Sequence, residues 1–214
     1  MNLPKIISFD AEGTLVTTGF SDAVWHQAIP ELYAKKHGLS FEQAKQFVRQ
    51  EYDRLGDHRL EWYDISYWLN RWDLGDYQNL MLSYRDHIMY YPETKEILNR
   101  LNPGHTLIVS SGSAREFLNM LTEEIGSNFA AVFSSISDYR QVKNADFYRR
   151  VCQVMQVEPN DIVHVGDSWD FDFLAPCEIG IRAFFLDRQG KRQGSQVVKS
   201  LQEFLDRVFE EKTD

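Results

Sequence analysis

Apolar positions along the chain follow two different spacings. Near-continuous apolar runs at 3–9, 106–110, 130–133, 162–166 and 182–186 predict short strands buried on both faces. Between them the apolar residues recur every three or four positions, which predicts helices. Ala23, Val24, Ile29, Leu32 and Tyr33 form one such stripe before Gly38, with Ser21 or Asp22 as its cap. Phe41, Ala44, Phe47, Val48, Tyr52 and Leu55 form a second behind Ser40. The stretch 61–91 is crowded with Trp and Tyr and poor in β-branched residues, which predicts two more helices. Pro92 opens a helix through Ile97, Leu98 and Leu101 that Asn102-Pro103-Gly104 ends. Further helices are expected up to about Glu124, over 145–155, and after Ser200 with Leu201, Leu205 and Val208 facing inward.

Strands alternating with helices at these distances imply an α/β fold with a mostly parallel sheet covered on both sides. Residues 20–85 interrupt that alternation as an all-helical block after the first strand. Its aromatic side chains fit either a small helical core that docks on the main domain or the lining of a substrate pocket at the domain interface. In parallel sheets, sites lie at the carboxyl ends of the strands. Asp10 follows the first strand, Ser110 ends the second and Asp167 follows the fourth.

A length of 214 residues suits one core with an inserted piece. The 43% hydrophobic, 26% charged and 14% aromatic composition excludes global disorder. A net charge of −9 disfavours nucleic acid or an anionic membrane as partner, while leaving room for a small anionic substrate in a locally positive pocket. Cys152 and Cys177 are too few for a disulfide framework and lack metal-ligand spacing, so two buried thiols are expected. No charged start leads into an apolar signal core and no apolar run approaches the ~18 residues of a membrane span. The expectation is a soluble, cytoplasmic protein. The basic stretch 188–194 reads as a solvated loop, with binding of an anionic group as the lesser alternative.

Asp10 and Glu12 stand at the end of a buried strand, where a bare carboxylate costs several kcal/mol unless it is paired or metal-bound. If the first and fourth strands are neighbours, Asp10, Asp167 and Asp172 converge, repel one another and call for a cation. An all-oxygen set of this kind suits Mg²⁺. Taken singly, Asp167-Ser168 also fits a helix cap, and Asp170 and Asp172 a solvated first helical turn.

Asp10-Ala11-Glu12-Gly13-Thr14 resembles the D-x-D-G-T motif of the haloacid dehalogenase-like (HAD) hydrolases, with Glu12 in place of the second Asp. Ile108-Val109-Ser110-Ser111-Gly112 resembles the second motif of that superfamily, and Lys143 is the nearest match to the third. Val165-Gly166-Asp167-Ser168-Trp169-Asp170-Phe171-Asp172, with Ala175 and Gly180 after it, resembles the fourth. The likeness runs over about residues 5–210. It implies a Rossmann-like sheet of order 3-2-1-4-5 with an inserted four-helix cap, the core at 1–18 and 88–214 and the cap at 19–87.

The resemblance further implies that Asp10 is a nucleophile forming an aspartyl-phosphate, and Glu12 an acid and base. Mg²⁺ would be held by Asp10, the main-chain carbonyl of Glu12, Asp167 and Asp172. Ser110, Ser111 and Lys143 would hold phosphate, and Thr14 would orient the loop. Asn144 stands where a proline commonly follows the lysine, and Phe171 replaces an Asn, which puts a large apolar residue beside the metal site. The implied function is a Mg²⁺-dependent phosphatase of a small phosphorylated metabolite, acting as a monomer or homodimer without nucleic acid or membrane. The alternatives are a sugar phosphomutase, or an impaired relative that binds a phosphorylated ligand or a protein partner. A dehalogenase fits poorly, because that branch has no acid at the position of Glu12 and needs no metal.

Overall fold

The computed structural model describes residues 4–209, so Leu3 of the first expected strand and Glu210 at the end of the resemblance lie outside the described residues. Strand β1 (Ile6–Phe9) leads into four helices: α1 (19–37), α2 (Phe41–Leu55), α3 (Ile65–Arg71) and α4 (Tyr77–Ser83). The chain then runs through α5 (Thr94–Leu101), β2 (Thr106–Ser111), α6 (Arg115–Thr122), β3 (Ala131–Ser134), α7 (Ser135–Tyr139) and α8 (Ala145–Met155). It ends with β4 (Ile162–Gly166), α9 (169–178), β5 (Arg182–Leu186), β6 (Val197–Val198) and α10 (Leu201–Phe209). The sheet order is β3-β2-β1-β4-β5-β6, with every pairing parallel. The 3-2-1-4-5 order thus gains a sixth strand. Two residues carry no periodicity, and β6 is held by backbone bonds: Phe185 N–H donates to the Gln196 carbonyl (2.9 Å) and Asp187 N–H to that of Val198 (2.8 Å).

Alternation along β1 sends Ile7 and Phe9 to one face of the sheet and Ile6 and Ser8 to the other. On the first face Phe9 meets the Phe204 ring of α10 edge-on at 6.1 Å, and Phe184 of β5 meets it at 5.3 Å. On the second, Ile6, Ile108 and Ile162 pack with Phe147, Val151 and Cys152 of α8. Each such side chain stabilises the fold by about 1.5–3 kcal/mol through apolar burial. Both cysteines are free, Cys152 buried and Cys177 half-buried.

The chain divides into two compact units, one formed by residues up to Val16 together with those from Tyr90 onward, the other by Thr17–Met89. In the second unit, α1 begins at Gly19 rather than behind Ser21 or Asp22; Thr18 precedes it and its hydroxyl donates to Asp22 (2.7 Å). The middle of α1, Val24–Ala28, is a π-turn. Ser40 and Gln43 form a reciprocal capping box at the start of α2. Tyr33 stacks on Phe47 at 4.7 Å and Tyr52 meets Trp68 at 4.7 Å, so rings supply the core that four short helices need. Trp25 and Trp62 instead line a recess of about 480 Å³ within this unit. Among the described residues no helix is long and apolar enough to cross a membrane.

Candidate active site

Three neighbouring strands change character together as they approach their carboxyl ends. On the face covered by α8, Ile6 is followed by Ser8 and Asp10, Ile108 by Ser110, and Ile162 by His164 and Gly166. The register pairs Ser8 with His164 and with Ile108, two positions before Ser110, so the three polar side chains form a slanting row at the strand ends. Asp10 sits above that row, 6% exposed, and its N–H donates to the Val165 carbonyl (2.9 Å), locking β1 to β4 at the point of use. The turn that follows needs glycine: Gly13 has φ +73°, and a Cβ there would lie 2.0 Å from Oδ2 of Asp167. At Gly166 a Cβ would lie 2.3 Å from Cγ of Asp172.

Asp10, Asp167 and Asp172 each offer an oxygen within 4.8 Å of the others. Lys143, 5% exposed, reaches in from the loop before α8; its Nζ donates to Oδ1 of Asp10 (2.7 Å) and also pairs with Oδ1 of Asp172. Three carboxylates against one ammonium leave negative charge uncompensated. Burial pushes the Asp10 carboxyl up to about 8, with Asp172 and Asp167 adding to the rise against the pull of Lys143. Asp167, at the exposed mouth, is pushed up to about 6 by desolvation and by Asp172. Burial alone would raise Asp172 and lower Lys143, but their attraction prevails: Asp172 is held below the usual carboxylate range, and Lys143 well above that of a free amine. The hard, all-oxygen donor set and the unbalanced charge fit a divalent cation such as Mg²⁺.

Asp172 is also the most heavily bonded of the three. Its Oδ1 lies 3.2 Å from Nε2 of His164, and its Oδ2 accepts the Ser168 N–H (2.9 Å). Asp10 and Asp167 therefore present the freer oxygens to a metal. His164 and Ser8 were not among the residues expected at the site, because isolated polar residues in an apolar run carry no local signal. Tyr148, on the buried stripe of α8, joins them with its hydroxyl 3.1 Å from Nε2 of His164.

Glu12 is half-buried and its Oε2 accepts a hydrogen bond from the Ser113 hydroxyl (2.9 Å), on the loop after β2. Ser110 and Ser111 are buried at the end of β2; the Ser110 hydroxyl lies 3.0 Å from that of Ser8, and Ser111 accepts the Ser113 N–H (3.2 Å). The Thr14 hydroxyl is buried without a hydrogen-bond partner among the described residues. What grips this loop is Arg188, which donates to the carbonyls of Thr14 (2.8 Å) and Gly13 (3.3 Å), pairs with Glu93 (2.8 Å) and covers the Tyr91 ring at 3.5 Å. The stretch 188–194 is thus not merely solvated: Arg192 likewise covers Trp169 at 4.1 Å. Asn144 caps α8, accepting the Phe147 N–H (3.0 Å), and this explains an Asn after the lysine. Phe171 is 37% exposed; its carbonyl accepts from Tyr148 (2.9 Å) and its N–H donates to the Ser168 hydroxyl (3.3 Å).

A buried carboxylate braced by a lysine, with a second acid near it and further carboxylates for a cation, can attack an electrophilic centre and manage the accompanying protons. Residues 4–176 match the family model described as hydrolase, haloacid dehalogenase-like hydrolase. The chain is 32% identical over 62 residues to the GMP/IMP nucleotidase YrfG of Escherichia coli, an alignment that takes in 29% of this chain and 28% of that relative's length. The fold is similar to that of a HAD phosphatase from Thermococcus onnurineus, with TM-score 0.81, 23% identity and coverage of 95% of this chain and 97% of the other. It is also similar to a 2-haloacid dehalogenase from Pseudomonas syringae, with TM-score 0.69, 19% identity and coverage of 96% and 98%.

Proposed function

The chain belongs to the haloacid dehalogenase-like hydrolases, and we propose that within them it is a Mg²⁺-dependent phosphatase of a small phosphomonoester. The convergence of Asp10, Asp167 and Asp172 around Lys143 carries this reading. Asp10 attacks phosphorus with one carboxylate oxygen while the bond from phosphorus to the ester oxygen breaks. Glu12 gives its proton to the departing alkoxide, then takes one from the water that cleaves the aspartyl-phosphate, which returns Asp10 and releases inorganic phosphate. Mg²⁺, held by Asp10, the Glu12 carbonyl and Asp167, would neutralise charge on the phosphoryl oxygens and keep Asp10 ionised. Asp172 completes that acidic cluster but serves chiefly to fix Lys143. Two of the ammonium's three N–H groups are engaged by carboxylates, and the third, which Tyr148 also approaches, would serve a phosphate oxygen. Ser110 and the backbone about Ser111 supply the rest of the cradle.

The anchored carboxylate of Glu12 supports turnover over a merely binding role, since Ser113 holds the longer side chain in a defined place. The limited likeness to a GMP/IMP nucleotidase makes nucleoside monophosphates one class to include among the substrates. The test is phosphate release from a broad phosphomonoester panel with Mg²⁺. Turnover by the wild type and its loss in Asp10→Asn are expected; silence across the panel, or an active Asp10→Asn, overturns the proposal.

A further inference from the structure

Beneath the strand ends, a line of buried polar groups joins the two halves of the site. The Ser110 and Ser8 hydroxyls lie 3.0 Å apart, Ser8 Oγ is 2.8 Å from Nδ1 of His164, and Nε2 of His164 is 3.2 Å from Oδ1 of Asp172. Ser8, Ser110, His164 and Asp172 are each no more than 1% exposed. An ionised carboxylate only accepts, so the imidazole turns Nε2–H toward Asp172 and leaves Nδ1 to take the Ser8 hydroxyl proton. Tyr148 fits the same arrangement, its hydroxyl beside Nε2 and its own proton on the Phe171 carbonyl. Four segments meet at this ring: β1, β4, α8 and the start of α9.

We propose that His164, together with Ser8, is a positioning residue of the phosphoryl-transfer site. It ties the carboxylate that holds Lys143 against Asp10, through Ser8, to the Ser110 hydroxyl, which donates to Ser8 at rest and turns its proton to phosphate when substrate arrives. The inference rests on the phosphatase reading, and it concerns residues that touch neither substrate nor metal. A fixed first layer requires a fixed support, and loss of such support typically costs about 10–100-fold in activity. The neutral ring suits the role: a buried, fully bonded imidazole cannot swing as an exposed side chain does.

Two substitutions separate the two ends of the ring. The amide nitrogen of His164→Gln falls close to Nε2 and can still donate to Asp172, whereas that of His164→Asn falls close to Nδ1 and reaches only Ser8. The expected result is a loss of kcat of about 10–100-fold in His164→Asn with KM little changed, and recovery of most of that loss in His164→Gln. Ser8→Ala, which removes only one hydroxyl, should weaken competitive inhibition by inorganic phosphate by up to about tenfold. Equal kcat in the Asn and Gln variants, or wild-type kcat in both, overturns the proposal. The ring nitrogens of ¹⁵N-histidine-labelled protein give a readout that needs no turnover, with the resonance assigned by its disappearance in His164→Asn. Nε2 should be protonated and Nδ1 should shift in Ser8→Ala. A protonated Nδ1 overturns the assignment even in an active enzyme. If the protein releases no phosphate while the Nε2–H signal is found, the phosphatase reading fails and the tie between Asp172 and Ser8 stands.

Discussion

Glu12 reaches one methylene, roughly 1.5 Å, beyond an aspartate at the same backbone position. Ser113 meets that extra reach at 2.9 Å, so the loop after β2 and the length of the acid suit each other. Glu12→Asp pulls the carboxylate away from Ser113 and from the position where it transfers a proton; a misplacement of about 1 Å can cost on the order of a hundredfold. The expected outcome is a kcat at least about tenfold lower in steady-state assays, and a gain in turnover would show that the loop has not adapted to glutamate. The sequence reveals this substitution as a departure but gives no hint of Ser113, 101 positions away. Asp10 makes a prediction of the opposite kind. Its unfolded pKa is about 3.9 and its folded value about 8. Between these the folded chain keeps a proton that the unfolded chain has shed, so this contribution to stability is complete below the lower value and is lost as pH rises through the upper one. In metal-free buffer the melting temperature of Asp10→Asn should therefore gain on the wild type from pH 4 to about 8 and hold level above; a constant difference across that window would rule out the raised carboxyl.

At the scale of elements, the strands are legible because parallel strands covered on both faces read as apolar runs. Ile162–Gly166 is recognisable in that way, although it carries His164 in the middle. The same property hides part of the polar row: Ser8 and His164 each interrupt one strand once, and only the register of β1 against β2 and β4 joins them to Ser110 at the end of β2. The loop after β5 is hidden for a different reason. Arg188 looks like the start of a basic solvated run, yet its guanidinium makes two bonds to the loop after β1, one to Glu93 and a face contact with Tyr91. A lysine has the charge without the planar fork. Arg188→Lys should lower the melting temperature by several degrees, corresponding to about 1–2 kcal/mol, and reduce kcat because the loop bearing Glu12 and Gly13 loses its clamp. A variant with unchanged melting and unchanged kcat would show the clamp to be ornamental.

At the scale of the whole molecule, the change in composition after the first strand signals an inserted block, whereas the crossing points are set by backbone pairing, which leaves no side-chain pattern. Val16 bridges Tyr90 in antiparallel fashion, and Thr17 N–H donates to the Met89 carbonyl at 2.8 Å. The chain thus leaves and returns on adjacent backbone, the geometry of a hairpin whose loop is the helical unit Thr17–Met89. Asp10, Glu12, Ser110, Lys143, His164, Asp167 and Asp172 all belong to the other unit. We propose that this unit folds without the insertion. Replacing residues 18–88 by Asn-Gly, a pair suited to a two-residue hairpin turn, should leave a protein that melts in one cooperative transition. It should bind Mn²⁺, measured by electron paramagnetic resonance, within about tenfold of the full chain, since every carboxylate and its supporting partners remain. A non-cooperative melt would mean that the first unit depends on the insertion for stability. A cooperative melt with Mn²⁺ binding lost would mean that the carboxylates are held in place only by the intact chain.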